Sequence, residues 1–140
     1  MKGRRIVDLE TIIFLINEGR QHWAIIAVLP RYHKIEVFDS LRGELKNPSI
    51  AIWKFIDFHC QLEPKTYDPS KWSLVWGRKC IPRQQDGHNC GFFAVFFAIA
   101  VVHRLSIYFL DSKKMDFLRV HLLLYFKGRP KKPHILIDVG

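Results

Sequence analysis

The stretch from Pro82 to His103 constrains the fold of this chain most strongly. A polar, turn-forming segment, Pro-Arg-Gln-Gln-Asp-Gly-His-Asn-Cys-Gly, leads directly into the uninterrupted apolar run from Phe92 to Val102. A helix that is apolar all round belongs in the middle of a core. The sequence therefore predicts a central helix that is buried on every side, with Cys90 and Gly91 in its first turn.

The start of such a helix suits a nucleophilic cysteine. The first amides of a helix have no intrahelical partners and carry partial positive charge, which favours the thiolate form of Cys90. Gly91 leaves room for a substrate backbone to approach, and the buried helix would hold the sulfur rigidly. The alternative for an isolated cysteine is an inert buried thiol, since cysteine is among the most buried residue types.

Length and cysteine content limit the class of protein. We expect the 140 residues to form a single catalytic domain, 1–140, without a secretory signal, and the longest apolar run is too short to span a membrane. Cys60, Cys80 and Cys90 include no Cys-x-x-Cys pair, which argues against a disulfide framework or a zinc site. We therefore expect a soluble intracellular protein of the nucleus or cytoplasm that needs no metal or cofactor.

The formal charge of +9 permits an acidic partner, including nucleic acid, but supports one only weakly. The densest basic cluster, Lys-Gly-Arg-Pro-Lys-Lys-Pro, lies in a C-terminal tail over 127–140. Such a cluster serves as a nuclear-localisation or phosphate-contacting patch in some proteins. The glycine and the two prolines in it favour a solvated tail.

Apolar and alternating segments predict the strands and helices. Four strands are predicted, at Thr11–Ile16, His22–Leu29, Lys34–Ser40 and Trp72–Ile81. A covering helix is predicted from about Asn47 to Gln61, and a last amphipathic helix over Lys113–Phe126 behind a cap at Asp111 and Ser112. These elements predict an α+β fold in which a short mixed or antiparallel sheet packs against the central helix.

The hairpin between the second and third strands places two polar side chains together. With the turn centred between Pro30 and Arg31, Asp39 lies directly opposite His22. Opposed residues on antiparallel strands share a face, with Cβ atoms about 4.5–5.5 Å apart. We therefore expect a carboxylate within reach of an imidazole.

Cysteine proteolysis requires three parts that this sequence contains. They are the pair of His22 and Asp39, Cys90 at the start of a helix, and the amide side chains just before Cys90. A thiolate attacks a carbonyl, an imidazole shares and returns a proton, a carboxylate orients the imidazole, and amide donors stabilise the oxyanion. Together, in this chain order, they predict a cysteine peptidase.

The same residues resemble a known family. Three motifs resemble those of the ubiquitin-like proteases, also called Ulp or sentrin-specific proteases. They are His22-Trp23, Phe38-Asp39-Ser40-Leu41 and Gln-Gln-Asp-Gly-His-Asn-Cys-Gly. Asp-Phe-Leu-Arg and Leu-Leu-Leu in the last predicted helix resemble the closing helix of that family. The resemblance spans roughly residues 12 to 126. It implies the papain-like cysteine protease fold and the processing and removal of SUMO-type modifiers.

The resemblance also implies a role for each matching position. Cys90 would be the nucleophile, His22 the general acid and base, and Asp39 its orienting carboxylate. Gln84 would provide the side-chain half of the oxyanion hole, and the backbone N–H of Cys90 the other half.

Two further positions would contact the substrate. Trp23 matches the tryptophan that lines the family's narrow tunnel for the diglycine end of the modifier, and Gly91 lies beside the nucleophile. A flat aromatic wall selects diglycine because this end of the chain carries no side chains. The implied partners are SUMO or another ubiquitin-like protein and its conjugates.

The chain departs from the family pattern at several positions. Asn89 replaces the usual aspartate before the cysteine, and His88 brings a second titratable group near the site. Gln85 stands where a proline usually follows the oxyanion glutamine, so it remains a rival to Gln84. The family's N-terminal part, with another tunnel tryptophan, is expected to be missing from this chain.

These departures leave alternatives to the modifier protease. Within enzymes, a viral-type processing endopeptidase or an acyltransferase would use the same residues on the same broad fold. From another class, a catalytically silent module would bind the modifier without cleaving it.

Overall fold

The computed structural model describes residues 5–62, 67–76, 81–107 and 111–128. Its sheet has four strands in the order β1-β2-β3-β4, where β1 to β3 are antiparallel and β4 runs parallel to β3. The mixed sheet and the α+β class are therefore confirmed. The strands are β1 (Ile12–Glu18), β2 (His22–Leu29), β3 (Lys34–Phe38) and β4 (Ser73–Val75).

Three α-helices accompany the sheet, close to their predicted positions. They are α1 (Lys46–Gln61), α2 (Cys90–His103) and α3 (Ser112–Lys127). The predicted cap of α3 is confirmed, since the side chain of Asp111 accepts a hydrogen bond from the backbone N–H of Lys114 at 2.7 Å.

The sheet separates two apolar clusters, one on each face. Strand β2 is buried from Ala24 to Val28, because its alternate side chains face opposite helices. Helix α1 covers one face and α2 the other. The first cluster includes Ile26, Val28, Val37, Ile52 and Ile56, and the second includes Ile25, Ala27, Phe38, Phe93 and Phe97.

The register of the β2–β3 hairpin differs from the prediction by two residues. Ile25 pairs with Phe38 and Leu29 with Lys34, because the 3₁₀ turn at Pro30–Tyr32 and the left-handed His33 centre the hairpin between Arg31 and Tyr32 rather than between Pro30 and Arg31. A shift of two residues keeps every side chain on its original face. The two residues of the predicted polar pair therefore still share a face, although they are not directly opposed.

The prediction that α2 is buried on every side is wrong. Phe93, Phe97 and other residues on one face are buried against the sheet, whereas Val102 is 54% exposed and Val95 and Ile99 are also exposed among the described residues. An apolar sequence shows that a helix avoids water but does not show which neighbours cover it. Within the described residues, the sheet and α3 cover only part of α2.

Several strand boundaries also differ. Strand β1 begins and ends later than Thr11–Ile16, and β4 is shorter than Trp72–Ile81. Residues 77–80, which include Cys80, lie outside the described residues, as do residues 129–140 of the predicted basic tail. None of the helices in the described segments is long and apolar enough to cross a membrane.

Candidate active site

His22 and Asp39 meet at one end of the sheet. His22 is the first residue of β2 and Asp39 follows the last residue of β3. The Nε2 atom of His22 lies 2.6 Å from Oδ1 of Asp39, and both side chains are largely buried. The predicted contact between imidazole and carboxylate is confirmed.

This contact determines what the imidazole can do. A neutral imidazole has one N–H and one lone pair, and a carboxylate accepts the N–H. The bond to Asp39 therefore places the N–H of His22 on Nε2 and leaves the lone pair on Nδ1. This is the form that can remove a proton from a thiol.

Asp39 is itself held by the turn that follows it. Oδ1 also accepts the backbone N–H of Leu41 at 2.8 Å, and Oδ2 accepts that of Gly43 at 3.1 Å. With His22, three donors satisfy this buried carboxylate. The rotamer of Asp39, and through it the plane of the His22 ring, is fixed by local backbone.

Gly43 is a site residue that the sequence reasoning missed. A Cβ atom at this position would lie 2.6 Å from Oδ2 of Asp39, which is closer than real Cβ contacts allow. A glycine a few residues after a strand is too common a feature to have indicated this role.

We expect Gly43→Ala to impair the orientation of His22 without removing any side chain that the chemistry would use. The new methyl group would displace the Asp39 carboxylate and weaken its bond to the Gly43 amide. The maximal rate of the expected peptidase reaction should fall by about tenfold or more, equivalent to at least ~1.4 kcal/mol in the barrier. Gly87→Ala is the matched control, because a Cβ at Gly87 meets no atom within 4 Å. Equal rates for the two variants would contradict the role assigned to Gly43.

Gln84 is anchored beside Asp39. Its backbone N–H donates to the carbonyl of Ser40 at 2.9 Å, its Oε1 accepts the hydroxyl of Ser40, and its Nε2 donates to the carbonyl of Asp86 at 2.7 Å. A carboxamide nitrogen carries two N–H groups, so one remains after the bond to Asp86. The carbonyl of Asp86, which can only accept, thus fixes which end of the amide is the donor.

The rival position Gln85 is arranged differently. Gln85 is exposed, and its backbone N–H donates to the hydroxyl of Ser112 on α3 at 2.9 Å. Gln84 is buried and connected to the residue after Asp39. This geometry favours Gln84 as the oxyanion donor.

The loop before the cysteine is organised by Asp86. Oδ1 of Asp86 accepts the backbone N–H groups of His88 and Asn89 at 3.0 and 2.8 Å. Desolvation raises the pKa of Asp86, but these two bonds and those from the side chains of Ser112 and Asn89 outweigh it and lower the pKa to about 2. Asp86 is therefore a carboxylate at neutral pH.

Cys90 is the first residue of α2, as predicted. It is 8% exposed, and the side chain of the preceding Asn89 makes no capping bond to the helix. The first amides of α2 thus lack a side-chain cap.

Cys60 is buried in α1, where desolvation and then the charge of Asp57 raise the pKa of its thiol.

Trp23 and Gly91 are also brought together. A Cβ atom at Gly91 would lie 3.7 Å from Cδ1 of Trp23, and this tryptophan is 37% exposed. The start of α2 therefore lies against the start of β2, where His22 precedes Trp23.

Over the described parts of the chain, no group of three or more His, Cys, Asp or Glu side chains is placed to hold a metal ion.

Solved structures with a similar fold include SUMO proteases and a bacterial effector. The C-terminal Ulp1 protease domain in complex with Smt3, the yeast orthologue of SUMO, matches with a TM-score of 0.68 at 23% identity. The Ulp1-like SUMO protease catalytic domain of Chaetomium thermophilum matches with a TM-score of 0.71 at 22% identity. The Chlamydia trachomatis effector Cdu1 bound to ubiquitin matches with a TM-score of 0.54 at 19% identity. At these identities the likeness shows the fold.

The matches cover most of this chain but only part of the others. They cover 90%, 84% and 79% of this chain, respectively, and 57%, 45% and 50% of the three relatives. The chain thus spans about half the length of these solved domains. No curated protein sequence matches it significantly. Residues 1–127 match the model of the Ulp1 protease family, C-terminal catalytic domain, and the chain therefore belongs to the Ulp1 protease family.

Proposed function

We propose that this protein is a cysteine peptidase that cleaves peptide or isopeptide bonds after the diglycine end of SUMO or a related ubiquitin-like modifier. The observation that carries the proposal is the hydrogen bond of 2.6 Å between His22 and Asp39, which prepares an imidazole base at the edge where α2 begins with Cys90. Membership of the Ulp1 protease family supports the same chemistry. The location of the protein in the nucleus or cytoplasm stays a prediction.

In the proposed reaction, Nδ1 of His22 takes the proton of the Cys90 thiol. The thiolate attacks the carbonyl carbon of the modifier's last glycine, and the carbonyl electron pair moves to oxygen. When this intermediate collapses, the C–N bond breaks and the amine leaves with the proton from His22. Water, deprotonated by His22, then hydrolyses the thioester and releases the modifier and the free thiol.

Two donors would stabilise the oxyanion. The remaining N–H of the Gln84 carboxamide and the backbone N–H of Cys90 are the proposed pair. Both are held before substrate arrives, Gln84 by Ser40 and Asp86, and Cys90 by the first turn of α2. Such preorganised donors need no rearrangement during the reaction.

The proposed substrate end follows from the contact between Trp23 and Gly91. An exposed indole beside a glycine at the nucleophile suits a substrate end that carries no side chains. One relative is solved with Smt3 and another with ubiquitin, which supports a ubiquitin-like protein as the partner.

Gly91→Ala separates this role from folding. Because the added Cβ would make only an ordinary contact with Trp23 at 3.7 Å, the variant should fold. Replacing a helical glycine by alanine should stabilise the protein by about 0.5–1 kcal/mol. We nevertheless expect KM for the modifier to rise several-fold, since the methyl group narrows the approach. A variant that is more stable and equally active in thermal melting and steady-state assays would contradict the substrate role of Gly91.

A panel of modifiers with a fluorogenic C-terminal amide tests the proposed function. We expect turnover with SUMO or a close relative, and a lower rate when the last glycine is replaced by alanine. Turnover of a peptide without any modifier would instead indicate a processing endopeptidase, and transfer from acyl-CoA would indicate an acyltransferase. Either result without modifier turnover would overturn the proposal.

One observation favours a second candidate, a modifier-binding module without catalysis. Cys90 is only 8% exposed, and a nucleophile must be reached by its substrate. Calorimetry with SUMO and alkylation of Cys90 at neutral pH distinguish the two functions. Binding together with an alkylation rate no faster than that of an ordinary cysteine would support the silent module.

A further inference from the structure

Asn89 connects three elements around the cysteine. Its side chain is fully buried, and its Nδ2 atom donates to Oδ2 of Asp86 at 3.1 Å and to Oδ1 of Asp116 at 2.9 Å. Asp86 lies in the loop before α2, and Asp116 lies in α3. Both N–H groups of the carboxamide are thus used to join the loop and α3 to the residue that precedes Cys90.

The two carboxylates fix the orientation of this amide. The reversed orientation would place the Oδ1 of Asn89 against two negatively charged groups. In the observed orientation Oδ1 is buried and finds no donor among the described residues. A buried acceptor without a donor costs free energy, so the two charge-assisted bonds must outweigh that cost.

The same bonds keep Asn89 from its usual task at a helix start. Asparagine in this position commonly accepts a bond from an amide of the first turn. Here the side chain makes no such bond, because it is directed to Asp86 and Asp116. The amides of Gly91 and Phe92, which such a cap would engage, therefore receive no bond from the Asn89 side chain.

We propose that Asn89 is a positioning residue for the cysteine: by donating to Asp86 and Asp116, it orients the Asn89–Cys90 peptide, whose N–H is the proposed oxyanion donor, and it leaves the amides of Gly91 and Phe92 available to the sulfur. This inference rests on the proposed function only where it assigns Asn89 a role in turnover; the effect of Asn89 on the reactivity of Cys90 does not depend on that function. It requires an asparagine, because an aspartate would be repelled by both neighbours and a serine would cap the helix.

Two substitutions at this position test the inference. Asn89→Asp keeps the size of the side chain but replaces its donors with acceptors, and Asn89→Ser supplies a strong cap that is too short to bridge the carboxylates. The measurement is the rate of alkylation of Cys90 by iodoacetamide between about pH 5 and pH 9, read on the tryptic peptide so that other cysteines do not interfere.

We expect both variants to alkylate roughly threefold to tenfold more slowly at neutral pH, with the half-maximal rate displaced to higher pH. In the Asn89→Asp background, a second change, Asp86→Asn, should recover part of the rate. Oδ1 of Asp86 already accepts both backbone N–H groups, so an asparagine oxygen can replace it while the new amide donates to the introduced carboxylate. Asn47→Asp, the same change at an exposed position in α1, should match the parent.

Thermal melting separates positioning from folding. Asn89→Ser should still unfold cooperatively, at a temperature lowered because its cap on α2 offsets only part of the two lost charge-assisted bonds, and it should lose reactivity at Cys90. A serine variant that is stable and reacts like the parent would overturn the inference, as would an unchanged rate for a folded Asn89→Asp variant. Since alkylation needs no modifier, failure of the proposed peptidase function would leave this result intact, and the reverse also holds.

Discussion

Cys90→Ala is expected to abolish turnover of a C-terminally activated modifier. Without the sulfur no thioester forms, and the remaining oxyanion donors do not supply a nucleophile. The variant should fold, because alanine is smaller than cysteine and is a good helix former at the first position of α2. Release of a fluorogenic group from SUMO measures the loss.

Cys60→Ala is the matched control for this substitution. Cys60 is also buried in a helix, and it lies in the apolar cluster on the opposite face of the sheet. It should retain turnover while losing some thermal stability, because its removal leaves a small cavity. Turnover by Cys90→Ala at the rate of the parent would show that Cys90 is not the nucleophile.

His22→Ala is expected to lower kcat/KM by about 10²–10⁴-fold, the usual contribution of a positioned general acid and base. The bond between His22 and Asp39 would be lost, and no other group in the described site is placed to replace the imidazole at that carboxylate. Alkylation of Cys90 at neutral pH should slow as well, because the imidazole would no longer share the thiol proton.

His103→Ala is the corresponding control, since His103 is exposed in the last turn of α2. It should change kcat/KM by less than about twofold. Equal effects of the two histidine substitutions, measured by steady-state kinetics on the same modifier, would remove His22 from the mechanism.

The contact between His22 and Asp39 could be predicted despite an error in the hairpin. The sequence indicated two adjacent antiparallel strands and placed both residues on one face, and an error of two residues in register preserves the face. The cap of α3 and the first residue of α2 were also predictable, for a different reason. They depend on local preferences of Asp111 and of the polar segment before Cys90.

The supporting interactions could not be predicted in this way. Ser40 orients Gln84 across 44 positions of sequence, and Asn89 reaches Asp116 across 27. Neither pair shares a strand register or a helix period, so no local pattern indicates it. The exposed face of α2 was missed for a related reason: which apolar residues are covered depends on packing between elements.

Covalent trapping by SUMO with a C-terminal propargyl group tests most directly whether the imidazole of His22, held by Asp39, serves the sulfur of Cys90. The account predicts one adduct by intact mass, located on Cys90 by peptide mapping, and much slower formation of that adduct in His22→Ala. An adduct on another cysteine, or a Cys90 adduct that forms equally fast without His22, would contradict it.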